Sequence, residues 1–388
     1  MPSVLESPPP STPSALLPVY DLLDVEPVAG DGVELETADG RRLVDFYGGH
    51  AVALLGYRHP RLLGALATQA RALFFQSNAV PLAVRERAAA RLAAFAPAGL
   101  DRVFFVNSGA EANENALRVA LRATGRGVVV ALEGAFHGRT AAAGAVTWNA
   151  RWYGFPRPPF EVRFVPREDA AALAAALAPG DVAAVIAEPV QGVAGAVALS
   201  DAFLAALRAL TLRHGALLVF DEVQCGMGRS GWPFVAQAAG VTPDLLTTAK
   251  GLAGGFPAGA LLVGEGLAAG LARGDLGTTF GGGPMACALI EATLGAIADE
   301  DLLANARARG EQIRAACAVG PVTGVGGRGL LVGLRTSRPA KTVQAELLAR
   351  GFLVGTSGDP HVVRLLPPLV VSAAHVDALA AALAELPA

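Results

Sequence analysis

The sequence predicts an α/β fold: a largely parallel sheet covered by helices on both faces, joined to a smaller α+β domain. Three observations predict it. Short runs of strand length, VVVAL, VAAVIA and ALLVF, are apolar throughout, as strands buried on both faces are. Stretches of helical length stand between them, and that alternation calls for right-handed crossovers between parallel strands. A chain of 388 residues is also long for one core, so a second domain is expected.

The elements follow in order. Residues 1–14 are rich in Pro and Ser, with no basic segment followed by an apolar one, and read as a lead-in rather than a signal peptide. Residues 39–56 read as a short strand followed by a glycine-loosened loop. Helices are expected over 60–74 and 81–95, a strand over 102–107, and a helix over 111–124, where Ala112, Ala116, Val119 and Ala120 share one face. Strands over 127–132, Val182–Ala187, 216–220 and 245–249 alternate with helices over 171–178 and Asp201–His214. Beyond Pro284 the expected elements are helices at 285–299 and 301–317, short strands at 330–334, 352–354 and Val362–Leu365, and a last helix at 373–386. The resulting division is a lead-in over 1–40 that packs with the small domain, a large domain over 41–280 and a small domain over 281–388.

Composition excludes several classes. A net charge of −3 leaves no basic footprint for nucleic acid. No apolar run reaches the roughly 18–20 residues that a membrane-spanning helix needs. The three cysteines, Cys225, Cys287 and Cys317, are too few and scattered for a disulfide scaffold or a metal site, and fit a reduced cytoplasm.

The chemistry is sought at the strand ends. The strand over 216–220 runs into Asp221-Glu222-Val223-Gln224, and a carboxylate there needs a cation or donor to offset its desolvation. Lys250 directly follows LLTTA, and a lysine at the end of an apolar strand calls for a partner or a covalent role. Alone, each has an ordinary reading: a turn cap for Asp221, an exposed strand end for Lys250. The third element is Asn107-Ser108-Gly109-Ala110-Glu111, where Gly109 permits close approach and the free N–H groups of a helix start suit a phosphate. Ser108 and Glu111 would serve equally as an N-cap and first-turn acid. Acid, lysine and phosphate cradle on one sheet make a pyridoxal phosphate site chemically sensible, the lysine bonding the cofactor and the acid holding its ring nitrogen protonated. Phe136, after the strand over 127–132, is placed to cover the ring.

The segments NSGAEANE (107–114), FHGRT (136–140), EPVQG (188–192), DEVQCGMGRSG (221–231), Lys250 with its glycines, and TTFGGGPMA (278–286) resemble those of the class III aminotransferases. RLLPPLVV (364–371) is similar to the C-terminal segment of the acetylornithine branch of that class. The resemblance implies fold type I with a mostly parallel seven-stranded sheet, pyridoxal phosphate as cofactor, and a homodimer with shared active sites. It implies transfer of the δ-amino group of N2-acetylornithine to 2-oxoglutarate. Carried over by residue, Lys250 holds the cofactor and Asp221 pairs with its ring nitrogen. Ser108, Gly109 and Ala110 hold its phosphate, Phe136 and Val223 cover its faces, and Glu222 and Gln224 lie beside it. Thr279 reaches the phosphate from the partner subunit, with Thr278 beside the substrate. Arg139 takes the donor's carboxylate and Arg364 that of 2-oxoglutarate, as a planar guanidinium does bidentately.

Two positions depart from the class. Val193 and Ala194 stand where an acid normally pairs with the C-terminal arginine, so Arg364 is expected either to stay open to dicarboxylates or to meet another acid. Gly283 stands in place of Asn. Residues 324–329 match G-x-G-x-x-G but precede an apolar run, so a turn is expected there rather than a nucleotide site. Turn packing is the expected role of His137. Other ω-aminotransferase substrates, an aminomutase on the same scaffold and a nicotinamide oxidoreductase are the rival functions.

Overall fold

The computed structural model describes residues 14–149 and 152–388; residues 1–13 of the expected lead-in lie outside them. Seven strands form the central sheet, in the order Arg102–Val106, Gly259–Val263, Leu245–Thr248, Leu217–Asp221, Val182–Ala187, Val128–Leu132 and Glu161–Val165. All run parallel except Gly259–Val263, which is antiparallel to both neighbours. The expected fold class is therefore found, with the mostly parallel sheet at its centre.

The central strands are as buried as their composition requires. Every residue of Val128–Leu132, Val182–Ala187 and Gly259–Val263 is buried. Helix Gly109–Thr124 covers one face, where Ala116, Leu117, Val119 and Ala120 pack on Val129, Ala131, Ile186 and Val219. Ser108 caps this helix by accepting the Glu111 N–H at 3.2 Å, and Gly125, left-handed at φ 66°, ends it as a C-terminal glycine does. Helix Asp201–His214 repeats the pattern between Ser200 and Gly215.

Two strands of the central sheet are absent from the sequence reading. Glu161–Val165 is an edge strand with little full burial, so its apolar signal is weak. Gly259–Val263 follows the Gly- and Pro-rich stretch 254–258, whose turn composition hides the strand behind it. The helix expected from 111 begins at Gly109, which brings its N-terminus to the end of the first sheet strand.

The turn expected at 324–329 is corrected: residues 324–328 belong to strand Val322–Arg328, and only Gly329 falls in the turn that leads back antiparallel into Leu331–Thr336. The glycines thus lie in a hairpin, and no helix follows the motif. Val362–Leu365 and Gly355–Thr356 extend this sheet. Near the N-terminus, Pro27–Asp31, Glu34–Thr37 and Arg42–Asp45 form an antiparallel ladder, and Phe352–Leu353 adds to it parallel to Arg42–Asp45. Helix Pro284–Asp299 packs against Pro60–Ala72, Ala83–Phe95 and the short 3-10 turn Lys250–Ala253.

Candidate active site

The carboxyl ends of the parallel strands converge on a cavity of about 420 Å³, and ligands in open α/β sheets bind at such ends. Residues lining it come from five strand ends: Gly109, Phe136, Glu188, Asp221 and Lys250 among them. Ser108, Ala110, Val223 and Gln224 line it as well.

Asp221 ends its strand 3% exposed, and its surroundings explain how a carboxylate is tolerated there. Oδ2 accepts from Asn113 Nδ2 at 2.7 Å and lies 2.7 Å from His137 Nδ1, while Oδ1 accepts the Val223 N–H at 3.0 Å. Asn113 is itself fully engaged: its amide also donates to the His137 carbonyl at 2.8 Å, and its oxygen accepts from Thr247 Oγ1 at 2.7 Å. This buried network leaves the carboxylate one orientation. It also corrects the expectation for His137, whose ring is a direct partner of Asp221 rather than turn filling.

Lys250 opens the short turn after Leu245–Thr248 with φ 47°, in the left-handed region. A side chain there costs roughly 1–2 kcal/mol, and such strain gathers at functional positions. Removal from water lowers the proton affinity of its amine, with Asp221 and Glu188 opposing the effect and Arg364 adding to it. Among the described residues no hydrogen bond or ion pair is formed by its Nζ.

The helix start at Gly109 is fitted closely. A Cβ on Gly109 would lie 2.6 Å from Val223 Cγ1, so only glycine lets helix and strand-end turn meet here. Ser108 takes the Glu111 N–H, leaving the first N–H groups of the helix without intrahelical acceptors. Two buried polar atoms of the lining residues, Gln224 Oε1 and His137 Nε2, have no partner among the described residues.

Arg364, on Val362–Leu365, is 5% exposed and meets carbonyls rather than an acid: Nε donates to Thr356 O at 2.7 Å and Nη1 to Gly192 O at 3.1 Å. Among the described residues no carboxylate pairs with it, so of the two expectations for Val193 and Ala194 the open arginine is the one found. Arg139 is exposed, with its guanidinium 4.4 Å from the ring centre of Trp152 and 6.0 Å from that of Phe136. Removal from water, with the positive charges of Arg364, Lys250 and Arg139 adding to it, pushes the proton affinity of His50 down to about 4. Thr278 Oγ1 accepts the Gly281 N–H at 3.1 Å, and Thr279 is exposed beside it, away from the cavity of its own chain.

Glu222 is a correction. Its buried carboxylate turns away from the cavity and accepts the Val235 and Ala236 N–H groups at 2.7 and 2.8 Å, so it caps helix Val235–Ala239 instead of meeting a cofactor. Burial pushes this carboxyl up to about 7. Glu188 and Asn113 are lining residues to which the sequence reading assigned no role; both stand inside the quoted motifs, but which way they face depends on the sheet.

The model of the family described as "Aminotransferase class-III" matches residues 20–386. The chain is 45% identical over 367 residues to the acetylornithine aminotransferase of Streptomyces coelicolor, covering 92% of this chain and 89% of that protein. It is 42% identical over 364 residues to the acetylornithine aminotransferase of Mycobacterium tuberculosis, covering 92% and 90%. Among solved structures, the ornithine aminotransferase of Toxoplasma gondii superposes with a TM-score of 0.90 at 28% identity, covering 96% of this chain and 92% of that one. A family match of this length, joined by relatives at this identity along nine-tenths of the chain, makes the protein a member of the class III aminotransferases, enzymes whose cofactor is pyridoxal phosphate.

Proposed function

We propose that this enzyme exchanges the δ-amino group of N2-acetylornithine for the keto oxygen of 2-oxoglutarate, giving N-acetylglutamate 5-semialdehyde and glutamate. The observation that carries the reading is Lys250: a strained, partly desolvated lysine facing the same cavity as a fixed carboxylate and an open helix start. The acetylornithine aminotransferase names of its relatives support the choice of donor.

The cavity fits pyridoxal phosphate. A lysine without a partner among the described residues, the glycine-flat approach at Gly109 and the orphaned Gln224 Oε1 all await a polar group of this kind. When bound, the cofactor supplies an aldehyde that links amines and a ring that draws electrons from the carbon bearing them. Lys250 would hold it covalently, Ser108, Gly109 and Ala110 its phosphate, and Asp221 its ring nitrogen. Phe136 and Val223 would cover the ring faces, with Gln224 at its edge.

The protein's own contribution is orientation and proton handling. Asn113, Thr247 and His137 hold Asp221 in place, so its charge stays aimed at one point. The lowered proton affinity of Lys250, caused chiefly by its removal from water, lets Nζ give up a proton more readily than a solvated lysine, the property a general base and acid needs. Arg139, at the exposed mouth, would take the donor's α-carboxylate, with Thr278 beside the substrate. Arg364, paired with no acid among the described residues, would take a carboxylate of 2-oxoglutarate. Two separate anchors let a δ-amine and an α-amine reach the same point in turn.

A homodimer is part of the reading. Leu73, Phe74, Phe75, Val80 and Phe280 are exposed, and the Phe75 and Phe280 rings lie 5.4 Å apart beside Thr279, supporting a face covered by a second copy with Thr279 reaching its phosphate. The division at about 40 and 281 belongs to the reading too; packing of the N-terminal segment with the small domain is supported by the pairing of Phe352–Leu353 with Arg42–Asp45, which carries that segment past 40 to Asp45. So does a cytoplasmic setting, supported by three free, buried cysteines.

The test is a panel of N2-acetylornithine, N-succinylornithine, ornithine and 4-aminobutyrate with 2-oxoglutarate, compared by kcat/KM. N2-Acetylornithine is expected to lead; a larger value for any other donor, or turnover without 2-oxoglutarate, overturns the assignment.

A further inference from the structure

Glu188 follows Val182–Ala187 at the cavity wall, 5% exposed. Its two oxygens serve two different turns. Oε1 accepts the Phe136 N–H at 2.8 Å, and Oε2 accepts the Gly192 N–H at 3.3 Å. Gly192 in turn accepts from Arg364 Nη1 through its carbonyl. The Gln224 amide lies against the bare face of that glycine, where a Cβ would come 1.5 Å from Oε1.

We propose that Glu188 is a positioning residue that straps the turn presenting Phe136 to the turn whose Gly192 carbonyl holds Arg364. One side chain would then set both the aromatic cover of the cofactor and the anchor for the acceptor's carboxylate. This rests on the reading of the cavity given above. The chemistry favours a carboxylate for the task, because its two oxygens accept from two separate N–H donors, whereas an amide has one acceptor oxygen and would turn an NH2 group toward the second donor. The strap also accounts for how Arg364 keeps its orientation with Val193 and Ala194 nearby. Carbonyls carry only partial charge, so an arginine steered by Gly192 and Thr356 keeps its full charge for an incoming dicarboxylate.

The test uses the full chain and the variants E188Q, R364A and E188Q/R364A. Cofactor affinity is read on the cofactor-free proteins by tryptophan fluorescence, since the Trp152 ring lies 5.8 Å from that of Phe136. Loss of one buried hydrogen bond predicts that E188Q binds pyridoxal phosphate roughly tenfold more weakly and raises the KM for 2-oxoglutarate by about the same factor, with a smaller change in kcat. In the R364A background E188Q is expected to leave the acceptor KM unchanged while still weakening the cofactor, because the strap reaches the acceptor only through Arg364. Multiplying KM effects in the double variant, or an E188Q protein within twofold of wild type in both readouts, overturns the proposal. If E188Q does not fold, E188A, whose vacated space admits water to both N–H groups, is held to the same criteria. Should the wild-type enzyme not use 2-oxoglutarate, the proposed function fails separately, and the fluorescence titration alone decides the strap, with unchanged affinity overturning it.

Discussion

Replacing Gly109 with alanine presses one methyl group against Val223. The new Cβ would lie 2.6 Å from Cγ1 and 2.9 Å from Cγ2, so the two must part by about 0.8 Å to reach the 3.4 Å of ordinary contact. Valine is stiff at χ1 and cannot swing aside cheaply, so the helix start or the strand-end turn must give. Overpacking of this kind costs roughly 1–3 kcal/mol. Alanine returns up to about 1 kcal/mol through helix propensity, leaving a modest loss and a folded chain. The larger effect falls on the cofactor. A hydrogen bond to a charged phosphate contributes about 1.5–3 kcal/mol, and losing one through this displacement predicts affinity about 10- to 100-fold weaker. Titration of the cofactor-free variant with pyridoxal phosphate measures it directly. Gly64, inside helix Pro60–Ala72 with nothing near its missing Cβ, is the control: G64A should stabilise by roughly 0.5–1 kcal/mol and leave cofactor affinity unchanged. Cofactor binding by G109A within threefold of wild type would refute the assignment of this helix start as the phosphate cradle.

Other perturbations follow from the same geometry. K250A should lose both turnover and the visible absorbance of the bound cofactor, and retention of both would end the assignment of Lys250. In cofactor-free form K250G should be more stable than K250A by about 1 kcal/mol in urea, because only glycine escapes the left-handed strain at φ 47°; equal stabilities would mean the strain is absent. R139A should raise the KM of the donor and R364A that of the acceptor, each about 10- to 100-fold for a lost charge-assisted pair, and crossed or shared effects in steady-state kinetics would contradict two separate anchors. Glu222 is pushed by burial from an ordinary 4.5 up to about 7. The folded state therefore binds more protons than the unfolded chain between those values, and Glu222 gives up stability as pH rises from about 4.5 through about 7. Glu188, also held at about 7 by burial, acts with the same sign. Urea midpoints from pH 5 to 8 should fall less steeply in E222Q than in wild type, and an unchanged slope would contradict the burial of that carboxyl.

Much of the fold was legible because its signals are local. The apolar runs at Val182–Ala187 and Leu217–Asp221, the cap at Ser108 and the terminating glycines at 125 and 215 act within a few residues of where they stand. Lys250, Asp221 and Gly109 were legible for a related reason: each interrupts a pattern that explains its neighbours. Glu161–Val165 and Gly259–Val263 were not, one having the mixed burial of an edge and the other lying behind a turn-rich segment.

By itself the sequence determined the strand-and-helix alternation, the strand ends that carry the chemistry and the family motifs. Only the tertiary structure decided what faces what. Asn113 meets Asp221 across 108 residues and Thr247 across 134, and His137 meets Asp221 across 84. Of the adjacent Asp221 and Glu222, one faces the cavity and the other caps a distant helix, because successive residues at a strand end point to opposite sides of the sheet. Hydrogen-bond partners of this kind depend on sheet order and register, which are collective properties of packing that no short stretch of sequence encodes.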